Sequence, residues 1–381
     1  MTGLGDLLAD KRSVFYFCGI GGVGMRALAM LLRHRGFQVR GSDRVFDQGS
    51  ESELRRRFEE GGIRIVPQNG EGITSEISAL ITSTAVEKQI PDVCRALELG
   101  LPVFHRSELL SEIFAAGPAV AVTGTSGKST VTAMIGHILD IHGFSPTVIN
   151  GADILNSPRH SQALFPNLWA GDPSCCVIEA DESDGSCRRY FPRVCVITTM
   201  SRDHMSIDEL EDVFAQVTAQ TQEVVVTNPA VAESVREALS EDTSLEMVSQ
   251  REMGQGRWTF RCLQSDEAGE RAQIIVDGEP VEEPLLLQLP GEHNIYDSLL
   301  AIAASSIFGI QPSEAVRALA SFRGLGRRLE VVGELKEYGI RVIDDFAHNP
   351  EKIQASLSTL RKRHPRLLIF FQLHGYGPTR F

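Results

Sequence analysis

The chain has 381 residues, of which 42% are hydrophobic and 23% are charged, and its formal net charge is −13. These values are typical of a globular protein of two or three domains and exclude a disordered or fibrous chain, while the negative charge argues against a nucleic-acid-binding protein, which needs a basic surface. No apolar run approaches the roughly 18 residues that cross a bilayer, and the first residues lack a signal peptide, so we expect a cytoplasmic protein without a membrane segment.

The first 115 residues alternate between apolar strands and amphipathic helices, the pattern of a parallel α/β domain. A predicted buried strand at 13–18 is followed by the glycine cluster Gly19-x-Gly21-Gly22-x-Gly24 and then by a helix. With Asp43 after the next strand, this cluster matches the dinucleotide-binding motif. A glycine loop at a helix N-terminus accommodates any diphosphate, so the motif fits a UDP-linked ligand as well as NAD.

A second α/β pattern starts after residues 115–118, which we interpret as a linker. A predicted strand at 119–123 leads into a glycine-rich loop, and an amphipathic helix leaves it. Backbone N–H groups of such a loop point at phosphate, Lys128 is placed to meet the β- and γ-phosphates, and Ser129 to bind Mg²⁺. This P-loop is shorter than usual, with two residues between its glycines. Its residues are Gly124, Thr125, Ser126, Gly127, Lys128, Ser129 and Thr130.

Candidate metal ligands follow two later strands. Glu179 comes directly after a predicted strand at 175–178, and His204 follows another at 194–198. The carboxyl ends of parallel strands meet at one edge of the sheet, where the Mg²⁺ of a nucleotide is held. We therefore predict that carboxylates of the acidic stretch EADESDG (179–185) bind Mg²⁺ and that His204 binds a second metal ion or a phosphate. The alternatives are a solvated acidic loop for the first and, for a lone His, no functional role.

The last third of the chain shows two further patterns. Residues 255–289 predict a small antiparallel β element around an Asp-Gly turn, and a helix follows from Asn294. After Arg328 we predict a strand at 341–344, a helix at 354–360 with Asn349 as N-cap, and a strand at 367–371. A strand–helix–strand unit cannot bury both faces of its sheet, so we expect this third domain to be incomplete.

Seven cysteines lie at positions 18, 94, 175, 176, 187, 195 and 262. None forms a C-x-x-C pair, and most lie in apolar surroundings. We interpret them as reduced core thiols, not as a disulfide or zinc framework.

Together these motifs resemble those of the Mur ligase family, in the same order along the chain. Three further stretches carry the resemblance: LPGEHN (289–294) resembles the adenine-side motif, GLGRRLE (324–330) the interdomain arginine motif, and DDFAHNP (344–350) the third-domain motif that closes over ATP. The resemblance implies three domains. They are a Rossmann-like UDP-substrate domain at 1–115, a central ATP-binding α/β domain at 116–327 and the beginning of a C-terminal α/β domain at 328–381.

The resemblance also implies a reaction, in which ATP and Mg²⁺ drive the joining of an amino acid or peptide to a UDP-linked carboxylate such as UDP-N-acetylmuramate. The implied catalytic residues are Lys128, Glu179, His204 and Arg328. The implied metal ligands are Ser129, Glu179 and His204. Outside the P-loop, the implied ATP contacts are His293, Asn294, Arg328 and Asp345. The implied UDP-substrate contacts are Gly19, Gly21, Gly22, Val23, Gly24, Asp43 and Ser83.

Departures from the family pattern leave the acid substrate less certain than the reaction. Residues 150–156 match the sugar-binding segment of the family only loosely, and Gln68-Asn69 stands where a Gly-His pair is usual, so these departures lie at the acid end. In the P-loop, Ser126 and Ser129 replace a His and a Thr, but Ser129 still offers a hydroxyl to Mg²⁺. A ligase acting on a non-muramate carboxylate and a nucleotide-binding relative without catalysis therefore stay open as alternatives. An NAD-dependent oxidoreductase would explain the first glycine cluster but would leave the P-loop and Glu179 without a role. The sequence indicates no oligomeric state.

Overall fold

The structure is a computed structural model that describes residues 3–117, 119–183, 185–202, 205–250, 256–266 and 269–372. It confirms the predicted α/β class. The chain divides into two compact units, Met1–Ala116 and Gly117–Phe381, and the division falls within the segment interpreted as a linker.

The first unit is a five-stranded parallel sheet with helices on its faces. Its strands are β1 (Val14–Cys18), β2 (Gln38–Ser42), β3 (Arg64–Ile65), β4 (Ala79–Thr82) and β5 (Val103–His105). Its helices are α1 (Leu4–Ala9), α2 (Val23–His34), α3 (Arg44–Asp47), α4 (Ser52–Glu60), α5 (Pro91–Glu98) and α6 (Arg106–Phe114). The strand order is β3-β2-β1-β4-β5, with every neighbouring pair parallel.

The central strand of this unit explains where the first glycine loop lies. β1 is buried along its whole length, as an apolar strand covered on both faces should be. Gly22 is the N-cap of α2, so the loop at 19–22 joins the carboxyl end of β1 to that helix. The chain leaves β1 towards β2 on one side and returns to β4 on the other, and in open α/β sheets ligands bind at such a switch in strand order.

The second unit contains fourteen of the described strands. They are β6 (Ala119–Thr123), β7 (Pro146–Ile149), β8 (Gln162–Phe165), β9 (Leu168–Ala170), β10 (Asp172–Glu179), β11 (Val194–Ile197), β12 (Val224–Thr227), β13 (Ser244–Gln250), β14 (Trp258–Asp266), β15 (Gly269–Val276), β16 (Glu279–Pro280), β17 (Leu285–Leu287), β18 (Glu330–Leu335) and β19 (Ile340–Asp344). Its described α-helices are α7 (Lys128–Ile141), α8 (Ile207–Ala219), α9 (Pro229–Val235), α10 (Glu292–Ser306), α11 (Pro312–Leu319) and α12 (Pro350–Arg363). Short 3₁₀ turns occur at Ser186–Arg189, Arg236–Ala238 and Lys336–Tyr338.

Twelve of these strands form one mixed sheet in the order β16-β15-β14-β13-β12-β11-β6-β10-β7-β9-β8, with β17 beside β15. The centre is parallel, and β6 lies between β10 and β11. The antiparallel element predicted at 255–289 is present as β14 to β17. It is not separate, because β14 pairs in parallel with β13 and so continues the main sheet. The antiparallel β8–β9 hairpin at the other edge is a feature that the sequence pattern did not predict.

Two buried helices pack against this sheet. α7 buries eleven of its fourteen residues and α10 eleven of its fifteen, so both are buried on almost every side. The two helices contact each other and share one core with the sheet and the buried rings of Trp169 and Trp258. Among the described helices α10 is the longest, and none of them is both long and apolar enough to cross a membrane.

The segment after Arg328 differs in part from the prediction. β18 and β19 form an antiparallel hairpin, and α12 starts at Pro350 with Asn349 as its N-cap. The strand predicted at 367–371 is wrong, since these residues form no ladder with any described strand. An apolar run becomes a strand only where a partner supplies backbone hydrogen bonds, and here Leu368 and Phe370 are exposed.

All seven cysteines are free thiols, and the prediction that they are core residues is wrong for two of them. Five are buried, whereas Cys94 in the first unit and Cys262 in the second are exposed. Burial raises the pKa of Cys195 to about 12 and that of Cys175 to about 11, so these two stay protonated at neutral pH.

Candidate active site

The P-loop connects the central strand β6 to the N-terminus of α7. Gly124 and Gly127 both have positive φ values, of 123° and 89°, which side chains other than glycine rarely adopt. The turn brings Lys128 to the first position of α7, whose first N–H groups have no partner within the helix. The loop therefore directs N–H groups and the positive end of a helix dipole at one point, the arrangement that binds phosphate.

The loop that follows β11 holds the P-loop in this shape. Thr199 accepts a hydrogen bond from the backbone N–H of Thr125 on its carbonyl oxygen (3.0 Å) and another from that of Ser126 on Oγ1 (2.9 Å). The hydroxyls of Thr125 and Ser201 lie 2.9 Å apart. Within the described residues, the buried Oγ of Ser126 has no hydrogen-bond partner. Hydrogen bonds to the neighbouring loop thus brace the P-loop, and the hydroxyl of Ser126 is left without a partner among the described residues.

Lys128 is held at the mouth of the P-loop by a buried carboxylate. Its Nζ donates to the carbonyl oxygen of Gly124 at 2.7 Å and to Oε2 of Glu182 at 2.8 Å. Burial lowers the pKa of Lys128, but the charges of Glu182 and Glu179 outweigh burial and raise it above its usual value. The ammonium therefore stays charged. Glu182, whose side chain is 4% exposed, belongs to the acidic stretch at 179–185, but the sequence did not single it out as a partner of Lys128.

The predicted metal ligands are only partly placed by the structure. Glu179 lies at the end of β10, and its Oε2 accepts a hydrogen bond from the N–H of Gly151 at 2.7 Å. Ser129 is buried in the first turn of α7, and His204 lies outside the described residues. Hydroxyl and carboxylate oxygens are the donors that Mg²⁺ prefers, so the chemistry of Ser129 and Glu179 fits this ion. Within the described ranges, no three His, Cys, Asp or Glu side chains are grouped as a metal cluster would be.

Asp297 of α10 is a second site residue that the sequence did not single out. Its Oδ1 lies 2.7 Å from the position that a Cβ atom would take on Gly127, so the carboxyl group lies against the P-loop. Burial raises its pKa to about 8, although the positive charge of Arg328 acts in the opposite direction. A spacing signal was present, because a helix starting at the LPGEHN motif puts positions 293, 294 and 297 on one face.

The remaining predicted ATP contacts border the same region. Asn294 is buried and donates through Nδ2 to the carbonyl oxygen of Pro290 at 2.7 Å, while His293 is exposed. The guanidinium of Arg328 lies 5.8 Å from the ring centroid of Phe346. The carboxylate of Asp345 accepts hydrogen bonds from within the protein, namely from Leu329 N (2.8 Å), Ala347 N (3.0 Å) and Ser356 Oγ (2.9 Å). Asp345 thus links the arginine motif to the middle of α12.

The predicted UDP-substrate contacts lie in the first unit. Gly19 and Gly21 form the loop, Gly22 caps α2, and Val23 is exposed at its first position. The carboxylate of Asp43 accepts from the N–H groups of Gly21 (2.9 Å) and Val45 (3.1 Å), so it orders the glycine loop and caps α3. Gly24 lies in the first turn of α2, beside the guanidinium of Arg106, and Ser83 follows β4.

Family comparisons cover most of the chain. Residues 14–117 match the Mur ligase family, catalytic domain; residues 122–305 match the Mur ligase middle domain; and residues 327–378 match the Mur ligase, glutamate ligase domain. Two similar proteins are UDP-N-acetylmuramate–L-alanine ligases. That of Synechococcus sp. (strain JA-3-3Ab) is 34% identical over 379 residues, covering 98% of this chain and 70% of the relative. That of Lawsonia intracellularis is 33% identical, covering 97% of this chain and 80% of the relative.

Solved structures of related ligases have a similar fold. The UDP-N-acetylmuramate–alanine ligase of Thermotoga maritima matches with a TM-score of 0.76 and 28% identity, covering 91% of this chain and 77% of that one. A murein peptide ligase from Psychrobacter arcticus shares the fold, with a TM-score of 0.74 at 22% identity over 92% of this chain and 76% of the other.

Proposed function

Because this chain belongs to the Mur ligase family, we propose that it uses ATP to join an amino acid to the carboxylate of UDP-N-acetylmuramate, a step in peptidoglycan precursor synthesis. The use of ATP is supported chiefly by the charged, half-buried Lys128 at the mouth of a hydrogen-bonded P-loop. The similarity to UDP-N-acetylmuramate–L-alanine ligases supports the acid and favours L-alanine as the amine.

The reaction proceeds in two balanced steps. A carboxylate oxygen of the acid attacks the γ-phosphorus of ATP, the bond to the β,γ-bridging oxygen breaks, and ADP leaves. The amine nitrogen then attacks the carbonyl carbon of the acyl phosphate, loses a proton and displaces inorganic phosphate. Since neither step forms a covalent bond to the protein, the residues act by positioning the reactants and neutralising charge.

The P-loop supplies most of this neutralisation. The N–H groups at the start of α7 surround the β-phosphate, and Lys128 exchanges its contact with Glu182 for the transferring γ-phosphate. Asp297 lies behind Gly127 in its protonated form and so adds no negative charge beside the phosphates at neutral pH. Arg328 supplies a second cation, and His293 and Asn294 lie at the adenine end.

Mg²⁺ would be held by Ser129 and Glu179, with His204 as a further ligand, and when bound it supplies charge neutralisation between the phosphates. In the first unit, the N-terminus of α2 receives the UDP diphosphate on the N–H groups around Gly22 and Val23. Asp43 keeps that loop in shape, and Ser83 contributes a hydroxyl at the neighbouring strand end.

ADP release tests the proposal. The chain is incubated with Mg²⁺·ATP, UDP-N-acetylmuramate and L-alanine, and each substrate is omitted in turn. We expect ADP and the amide product to form only when all three are present. ADP formation that does not depend on UDP-N-acetylmuramate would contradict the ligase assignment. Product formation with another acid or with a peptide, but not with these substrates, would move the assignment to a different member of the family.

A further inference from the structure

A buried ion pair connects α12 to the antiparallel end of the main sheet. Nη2 of Arg363, in the last turn of α12, lies 2.7 Å from Oε1 of Glu270 on β15. The two side chains are only 10% and 1% exposed. The same guanidinium nitrogen also donates to the carbonyl oxygen of Gly269 at 3.2 Å. This pair is outside the set of residues assigned to ATP or to the UDP-linked acid.

The acceptor oxygen of the pair also determines the position of the turn before α10. Oε1 of Glu270 accepts a hydrogen bond from the N–H of Gly291 at 2.6 Å, and this bond is buried. Gly291 is the N-cap of α10, with a φ of 100°, and the next residues along the helix include His293 and Asn294. One carboxylate oxygen thus joins Arg363 to the turn that carries the adenine-end residues.

α12 approaches this turn and the P-loop at separate points along its length. Glu351, in its first turn, accepts a hydrogen bond from Ser201 Oγ at 2.5 Å, and that hydroxyl contacts Thr125 of the P-loop. Near its end, Thr359 Oγ1 lies 2.8 Å from the position that a Cβ atom would take on Gly291. A helix of fourteen residues is about 21 Å long, which lets it reach both regions.

We propose that Glu270 and Arg363 are positioning residues for the nucleoside end of ATP. They hold the Gly291 turn, and through it His293 and Asn294, in the geometry that receives the nucleoside. The inference rests on the proposed function, because it assumes that the nucleotide binds with its phosphates on the P-loop. A buried ion pair is a good device for fixing geometry, since moving either partner leaves an unpaired charge.

The test separates the nucleoside from the phosphates. Binding of Mg²⁺·AMP-PNP and of Mg²⁺·tripolyphosphate is measured by calorimetry, and the ratio of the two dissociation constants reports the nucleoside contribution. The main variant is Glu270→Leu/Arg363→Leu, which removes both charges and so leaves none buried alone. The second is Glu270→Gln, which keeps an acceptor for Gly291 but loses the charge. Arg317→Leu is the matched control, because it breaks an exposed ion pair with Glu283.

In the double variant we expect about tenfold or greater loss of AMP-PNP affinity with tripolyphosphate binding unchanged. Glu270→Gln should show a smaller loss of the same kind, and it decides the question if the double variant does not fold. The control should match the unsubstituted chain. An unchanged ratio of the two dissociation constants would overturn the inference. If both affinities fell equally, the role of the pair would be merely structural. If the unsubstituted chain bound neither ligand, the proposed function itself would fail.

Discussion

The side chains of Lys128 and Asp297 both lie against the P-loop, and both have a raised pKa. The pKa of Lys128 is raised by the carboxylates around it, so the side chain keeps its positive charge despite burial. The pKa of Asp297 is raised by burial, so that side chain loses its negative charge. Both shifts make the P-loop more favourable for an anion at neutral pH, and each can be tested by one substitution.

Lys128→Ala should lower kcat/KM for ADP formation by at least about a hundredfold, because the transferring phosphate loses its cation. Binding of the UDP-linked acid, measured by calorimetry, should be unchanged, since that site is proposed in the first unit. The control is Lys336→Ala, an exposed lysine of the second unit. Retained activity in the Lys128 variant would show that the P-loop assignment is wrong.

Asp297→Asn should change how stability depends on pH. Burial raises the pKa of Asp297 from its ordinary value of 3.8 to about 8, so between these two pH values the folded chain keeps the proton that the unfolded chain releases. The free energy of unfolding of the natural chain therefore falls as pH rises from about 4 to 8, by up to about 1.4 kcal/mol per pH unit. The Asn variant lacks this loss.

The measurement is thermal or urea unfolding at pH 5 and pH 8. Relative to the natural chain, Asp297→Asn should be more stable at pH 8 than at pH 5, by up to a few kcal/mol. Asp242→Asn, at an exposed position, is the control and should show no such trend. An equal difference at both pH values would mean that Asp297 is ionised in the folded chain.

At the scale of elements, α12 depends on its N-terminal cap. Oδ1 of Asn349 accepts a hydrogen bond from the N–H of Lys352 at 2.9 Å, and Asn349 is 6% exposed. Asn349→Ala should cost about 1 kcal/mol of stability, measured by urea unfolding, whereas Asn349→Ser should recover much of it by keeping an acceptor oxygen. If Ser and Ala cost the same, the cap is not what stabilises the start of α12.

Local sequence patterns predicted the central strands of the main sheet, whose residues are buried. β6, β11 and β12 are apolar runs buried at every position, and each follows its pattern closely. β8 was not predicted because two of its four residues are exposed and it exists only through pairing with β9. The run at 367–371 has strand-like composition but no described strand beside it, and composition alone does not form a ladder.

The same distinction applies to the candidate site. The P-loop could be predicted because its glycines, lysine and serine are adjacent in sequence. Glu182 and Asp297 acquire their roles only when folding brings them to Lys128 and Gly127; Lys128 and Glu182 are 54 residues apart. Glu270 and Arg363 are 93 residues apart, and neither lies in a motif. Pairing of this kind depends on tertiary structure, which a single sequence does not display.

At the scale of the whole molecule, the chain has two compact units with separate cores. Calorimetric unfolding should therefore show two transitions, because each unit buries its own apolar surface. Mg²⁺·AMP-PNP should raise one transition and UDP-N-acetylmuramate the other, each by the equivalent of about 2.7 kcal/mol when the ligand is at a hundred times its Kd. A single transition that both ligands raise equally would contradict independent sites in separate units.

The exposed thiols allow the two units of the protein to be labelled with spectroscopic probes. Each compact unit has one exposed cysteine, Cys94 in the first and Cys262 in the second, and the other five are buried. A maleimide dye pair would therefore attach to the natural chain at one site per unit, without engineered cysteines. Energy transfer between the dyes, followed while nucleotide and acid are added, would report the distance between the units throughout a catalytic cycle.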